Sequence, residues 1–175
     1  MWANPETGSQ VTRPTANILK RALIQNQSPF VFQGPRMTSP RIGLIGLGAM
    51  GAGMAQSLRR GGFDLRVYDI RPGVASAFAE AGGTACGSAA ELAASSDVVV
   101  CVVVNAAQTE DVLFGSGGVA AAMKPGSAFV MCSTVDPNWA VALEARLEAL
   151  GLWMLDAPIS GGAAKAASGQ MTMMT

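Results

Sequence analysis

The chain has 175 residues, half of them hydrophobic and 14% charged, which is room for one domain with a sizeable core and little more. Twelve Lys and Arg balance twelve Asp and Glu, so bulk charge gives no support for binding nucleic acid or an anionic membrane surface. There is no histidine, which removes the commonest general base and the commonest zinc ligand.

Residues 1–36 differ in texture from the rest. They hold Pro5, Pro14, Pro29 and Pro35, scattered polar residues, four basic groups (Arg13, Lys20, Arg21, Arg36) and one acid, Glu6. That composition admits a transit peptide; we read it instead as a disordered extension, with Met37-Thr38-Ser39-Pro40 as a natural start before the first strand. The ordered part, residues 37–175, is then one domain.

Ile42 to Ile45 reads as a short strand ending in Gly46-Leu47-Gly48-Ala49-Met50-Gly51. Met50, Met54 and Leu58 follow at helical spacing, and Gly61-Gly62 stops that helix. Leu65 to Tyr68 is a second strand, ending at Asp69. Val74 and Phe78 mark a short helix after Pro72. A weak third strand lies near Thr84 and Ala85, and Ser88 with Glu91 matches a capping box. Val98 to Val104, the longest aliphatic stretch, is seven residues. That suits a buried strand and falls well short of the roughly 18–20 residues that span a bilayer. Ala128 to Cys132 is a fifth strand. Asp136-Pro137 reads as the N-cap and first residue of a helix, with Trp139, Leu143, Leu147 and Leu150 on one face. Leu152 to Leu155 is a sixth strand, and Met171 to Thr175 looks like a strand cut short. Strands alternating with helices, without hairpin signals, imply an α/β fold: a doubly wound parallel sheet covered on both faces.

The three cysteines, Cys86, Cys101 and Cys132, are odd in number and form no CxxC, so neither a disulfide framework nor a metal site is expected. Buried thiols in a reducing cytoplasm fit this usage.

The glycine loop meets the context that gives a GxGxxG pattern meaning, because it follows a strand and opens a helix. Gly46 permits the tight turn, Gly48 lets backbone approach a pyrophosphate, and Gly51 lets the helix pack on the strand. Phosphate then meets free N–H groups at the positive end of a helix dipole. Asp69, at the end of the second strand, is placed to accept hydrogen bonds from ribose hydroxyls and to repel a 2′-phosphate, which favours NAD over NADP. Arg71 opposes that preference, since a guanidinium can take the phosphate.

Three blocks carry a resemblance to a known family. They are Gly43 to Gly51 with Met54-Ala55 behind it, Ser133-Thr134-Val135-Asp136-Pro137, and Asp156-Ala157-Pro158-Ile159-Ser160-Gly161-Gly162 followed by Ala166 and Gly169. Together they resemble the β-hydroxyacid dehydrogenases, the family of 3-hydroxyisobutyrate dehydrogenase. The stretches Val102 to Glu110 and Gly162 to Ala167 resemble its L-threonate dehydrogenase branch. The resemblance implies a Rossmann domain, a soluble homo-oligomeric parent enzyme, and NAD-linked oxidation of an alcohol on a small hydroxy acid. It implies that Gly46, Leu47, Gly48, Ala49, Met50, Gly51, Asp69 and Arg71 surround the cofactor. Val103, Val104 and Thr134 match positions on its nicotinamide ribose side, and Gln108 stands near a position often held by Asn. Ser133 is expected to face the substrate, and Ser160, Gly161 and Gly162 to take its carboxylate. Small side chains and bare backbone suit that task, because they can direct N–H groups at an anion; a plain turn after strand six is the simpler reading of the same residues.

Oxidising an alcohol needs a proton acceptor. In the family this is a lysine on a helix beyond the glycine-rich loop, so the resemblance implies a base beyond residue 175 and an all-helical C-terminal domain absent from this chain. Lys165 lies at a non-matching position in the loop, and Lys124 precedes a turn. The alternatives to a hydroxyacid dehydrogenase are a non-catalytic dinucleotide-binding module and an NADP-linked reductase of the tartronate semialdehyde type.

Overall fold

The computed structural model describes residues 39–175, so the reading of residues 1–36 as an extension lies outside them. Six strands form one sheet: β1 (Ile42–Ile45), β2 (Leu65–Tyr68), β3 (Thr84–Ala85), β4 (Val98–Cys101), β5 (Ala128–Met131) and β6 (Trp153–Asp156). Their spatial order is β3-β2-β1-β4-β5-β6, and every neighbouring pair is parallel. Leu44 of β1 aligns with Val67 on one side and Val100 on the other. The chain therefore leaves the central strand in opposite directions, and a crevice opens at the carboxyl ends of β1 and β4.

Strand alternation sends side chains to two cores. On one face, Leu44, Val67, Val100 and Val130 pack under α1 (Ala49–Arg60), α2 (Val74–Ala79) and α7 (Gly162–Ser168). On the other, Ile45, Val99, Phe129 and Met131 pack under α3 (Ala89–Ala94), α4 (Ala106–Phe114), α5 (Val119–Ala122) and α6 (Pro137–Glu148). Continuous apolar strands are what a sheet covered on both faces requires. Cys101 and Cys132 fall on opposite faces. Burial pushes the Cys132 thiol up to about 12 and the Cys101 thiol higher still, so both behave as small apolar groups.

The helix starts follow the sequence closely. Asp136 accepts from the N–H groups of Asn138 and Trp139, and Pro137 opens α6. Ser88 caps α3 by accepting from Glu91 N–H at 3.1 Å. The return arm of that box differs, because Glu91 accepts from Gly87 N–H, one residue before the cap.

Three expectations are corrected. The apolar run Val98 to Val104 is a strand only to Cys101, and its last three residues leave the sheet to line the crevice. Gly162 to Ser168, read as part of a loop, is a helix. The final strand, β8 (Thr172–Met173), lies outside the main sheet and pairs antiparallel with β7 (Ile159–Ser160). Among the described residues no helix is long and apolar enough to cross a membrane.

Candidate active site: a crevice at the carboxyl edge of the sheet

Gly46 leaves β1 with φ +92°, a conformation open to glycine and strained for other residues. A Cβ there would run into the Val102 carbonyl, and one on Gly51 would run into the Gly46 carbonyl. These two glycines let the loop fold back on β4 and let α1 sit against its own turn. Gly48 is the opposite case: nothing lies within 4 Å of where its Cβ would be. The space above it is open, as an incoming phosphate needs.

The first helical bond of α1 runs from Ala52 N–H to Gly48. The N–H groups of Ala49, Met50 and Gly51 therefore precede the helical ladder and are left for a ligand or water. Leu47 is different. Its side chain is buried in the core, and its N–H donates to Asp69 Oδ2 at 2.7 Å. Leu47 anchors the loop rather than offering its own N–H to phosphate.

Asp69 is the most heavily bonded group of the crevice. Besides Leu47 it accepts from Arg71 N–H at 2.9 Å, from Arg71 Nε at 2.8 Å and from an Arg71 terminal nitrogen at 2.9 Å. Its side chain is 5% exposed, that of Arg71 58%. These bonds, led by the Arg71 side chain, hold the Asp69 carboxyl down at about 2. Arg71 also donates to the Leu47 carbonyl at 3.2 Å, so the end of β2 is tied to the glycine loop at both backbone groups of Leu47. Sequence reasoning assigned Asp69 to ribose and missed this anchoring, because spacing does not show which backbone N–H a carboxylate reaches.

The crevice has a volume of about 370 Å³ and includes Gly46, Gly48, Asp69, Ile70, Arg71 and Val102 to Val104 on its walls. Val104 is 78% exposed and Ile70 81%. Large apolar side chains left so open beside a polar floor mark a surface for a flat, partly apolar ligand. Thr134 is exposed just beyond β5, at the same edge of the sheet. The residue set fits a dinucleotide: a cradle that a Cβ would fill, an open floor at Gly48, three unladdered N–H groups and a carboxylate at the far side.

Ser133 does not face that opening. It is 2% exposed, and its hydroxyl donates to the Val103 carbonyl at 2.8 Å. Thr109 Oγ1 lies 3.2 Å from Ser133 Oγ. Each hydroxyl also has a backbone acceptor, Val103 O for Ser133 and Asn105 O, at 3.1 Å, for Thr109. The pair is a buried brace beneath the Val103-Val104 wall. Gln108 adds to it from α4, accepting from Val104 N–H at 2.9 Å.

Ser160, Gly161 and Gly162 lie exposed at the start of α7. Gly161 has φ +123° and Gly162 φ +77°, so the loop's turn depends on glycine at both. Helix α7 lies along α1: Ala163, Ala166 and Ala167 approach Gly53, and Gly169 approaches Ser57. The two helices thus run the same way, and Ser160 to Gly162 comes to the same edge as the glycine loop. An Arg60 terminal nitrogen donates to the Ala167 carbonyl and fastens the far end. Lys165 is exposed on α7; its stem passes close to Gly161.

Residues 41–175 match the family described as the NAD binding domain of 6-phosphogluconate dehydrogenase. The chain is 60% identical over 137 residues to an L-threonate dehydrogenase of Cupriavidus necator, a match covering 78% of this chain and 46% of the relative. It is 37% identical over 133 residues to the mitochondrial 3-hydroxyisobutyrate dehydrogenase of Mus musculus, covering 76% and 40%. A crystal structure described as 3-hydroxyisobutyrate dehydrogenase from Salmonella typhimurium superposes with a TM-score of 0.73 at 47% identity, covering 77% of this chain and 47% of that one. The chain spans less than half the length of these relatives.

Proposed function

The chain belongs to the family of the NAD binding domain of 6-phosphogluconate dehydrogenase, and from that membership we propose that it forms the cofactor half of a dehydrogenase for small hydroxy acids of the L-threonate or 3-hydroxyisobutyrate type. The observation that carries the reading is the floor of the crevice, where open space above Gly48 meets the unladdered N–H groups of Ala49, Met50 and Gly51. The similarity to L-threonate dehydrogenase narrows the substrate class.

When bound, NAD supplies the carbon that accepts hydride. The residues of this chain hold and orient it. Gly46 to Gly51 receives the pyrophosphate, and the α1 dipole favours its charge. Asp69 accepts from the adenosine ribose, which requires the Arg71 guanidinium to yield part of its contact. Val103 and Val104 form the wall at the nicotinamide ribose, with Thr134 beside them, and Ser133 holds Val103 from beneath. Ser160, Gly161 and Gly162 take the substrate carboxylate at the neighbouring loop. The hydroxyl proton goes to a lysine that is not among residues 39–175. Lys165 and Lys124 are both exposed, and neither lies on the crevice wall.

Calorimetric titration tests the reading. NAD is expected to bind more tightly than NADP, and Gly48→Val, which fills the floor, is expected to abolish binding. Unchanged affinity in that variant would falsify the assignment. With NAD and L-threonate the purified chain is expected to produce no NADH; turnover would show that the base is present after all.

A further inference from the structure

Resting on the dinucleotide reading of the crevice, we propose that Ser133 and Gln108 are positioning residues: they clamp the peptide between Val103 and Val104, and through it they set the wall against which the cofactor's second nucleoside lies. The two hydrogen bonds involved belong to one peptide unit. The Val103 carbonyl accepts from Ser133 Oγ at 2.8 Å, and the Val104 N–H donates to Gln108 Oε1 at 2.9 Å. In a trans peptide the carbonyl and the N–H point to opposite edges of one plane. The plane is thus gripped at both edges, and both bonds must break before it can turn.

The grips come from separate parts of the fold. Ser133 follows β5, and Gln108 lies in the first turn of α4. Ser133 is 2% exposed, and Thr109, whose Oγ1 lies 3.2 Å from Ser133 Oγ, is fully buried. Ser133 therefore braces the wall without touching a ligand in the crevice. Gln108 is anchored by its own N–H, which donates to the Asn105 side chain that caps α4. The segment needs such grips because it has left the sheet. Strand β4 ends at Cys101, and the last backbone bond from this segment to the sheet runs from Val102 N–H to the Ile45 carbonyl. The strand order then says what the wall meets. Strands β2, β1 and β4 lie side by side, with Asp69 at the end of β2, the glycine loop at the end of β1 and Val103-Val104 beyond the end of β4. A dinucleotide with its adenosine ribose at Asp69 and its pyrophosphate over the glycine loop continues in the same direction. Its second nucleoside then reaches the exposed Val104 side chain, which turns with the clamped plane.

The test titrates the full chain calorimetrically with NAD and with ADP, which keeps the adenosine and the diphosphate and lacks the second nucleoside. The unmodified chain is expected to bind NAD more tightly than ADP. Ser133→Ala is expected to weaken NAD about fivefold, the scale of one hydrogen bond, and to leave ADP unchanged. Gln108→Leu is expected to do the same; Gln108 is exposed, so this variant gives the readout if the buried Ser133→Ala fails to fold. Gln108→Glu keeps an oxygen for Val104 N–H and loses the NH₂ group, so it is expected to hold the NAD-to-ADP ratio of the unmodified chain. A lost ratio in Gln108→Glu would assign the amide to direct contact with the ligand and overturn its part in the clamp. Thermal melts accompany each titration, because a purely structural role lowers the melting temperature without moving the ratio. An unchanged ratio in the folded Ser133→Ala and Gln108→Leu variants, or an unmodified chain that binds NAD no better than ADP, overturns the clamp and leaves the cofactor reading standing. Failure to bind either ligand overturns both.

Discussion

Two glycine loops meet at the carboxyl edge of the sheet, and they use glycine for different reasons. In the first, at the start of α1, Gly51 is required by space, because a side chain there collides with the loop's own carbonyl. In the second, at the start of α7, Gly161 and Gly162 are required by conformation, with φ of +123° and +77°. What a Cβ on Gly161 would meet first is the stem of Lys165, a side chain that can move. The first loop is also tied down by Asp69 and Arg71. The second is held through Ser160, which pairs with Thr172 in the β7–β8 ladder. A loop held from several sides is preorganised for a ligand, and a loop held on one side by a short strand pair keeps more freedom to adjust.

The largest test of this contrast is Gly51→Ala. Its Cβ would run into the Gly46 carbonyl, so the loop must open; we expect a loss of about 2–4 kcal/mol in stability and no measurable NAD binding by calorimetry. Asp69→Asn comes next. It keeps the shape but weakens the charge-assisted bonds to Arg71, by about 1–2 kcal/mol. The Asp69 carboxyl is held at about 2 in the folded chain, below its ordinary value of roughly 3.9. Its contribution is therefore complete above pH 4 and lost as pH falls through 2. Thermal melts between pH 2 and pH 5 should be flatter in the variant, and identical slopes would show that the bond contributes nothing to folding. Asp97, held at about 2 by Arg41, titrates in the same window and leaves a residual slope.

Gly161→Ala should cost about 1–2 kcal/mol, the strain of a side chain at positive φ, and leave NAD affinity unchanged. A fall in affinity comparable to that of Gly51→Ala would erase the distinction between the loops. The smallest effect is Arg71→Ala. Removing the guanidinium frees Asp69 for ribose and removes the only cation on the crevice wall described here. Discrimination against NADP should rise by about threefold, less than 1 kcal/mol, read by parallel titration of the two cofactors.

The sequence carried the fold because periodicity and caps repeat along it. Asp136-Pro137, Ser88 and the Leu143-Leu147 part of the α6 stripe each act locally, and the structure keeps them, while Leu150, expected on the same face, lies past the helix and is 48% exposed. What was not legible depends on contacts between distant segments. Val102 to Val104 continues an apolar run without a break, and only the Gly46 N–H bond to Tyr68 and the Val102 N–H bond to Ile45 show where the sheet ends. Ser133 looks like a free hydroxyl in a turn, yet the carbonyl that claims it is thirty residues earlier. Helix α7 was hidden by Gly161-Gly162, which signal a turn, and by a helix too short to show a stripe; its seat on Gly53 is invisible without the fold. Of the positions proposed for the glycine loop, Gly46 and Gly48 line one crevice together with Asp69 and Arg71, because a strand–loop–helix unit sets them by local geometry.

The contact at Gly53 has a consequence for reaction distance in the proposed enzyme. Its missing side chain lets the Ala166-Ala167 backbone of α7 lie directly on α1, and each helix carries one of the two loops. A methyl group at Gly53 would act as a shim, lifting the loop at the start of α7 relative to the loop at the start of α1. Hydride transfer in the proposed dehydrogenase would tolerate little of that, since displacements near 1 Å can cost about a hundredfold in rate. In that enzyme the gauge between donor carbon and acceptor ring would be set in part by an atom the chain leaves out.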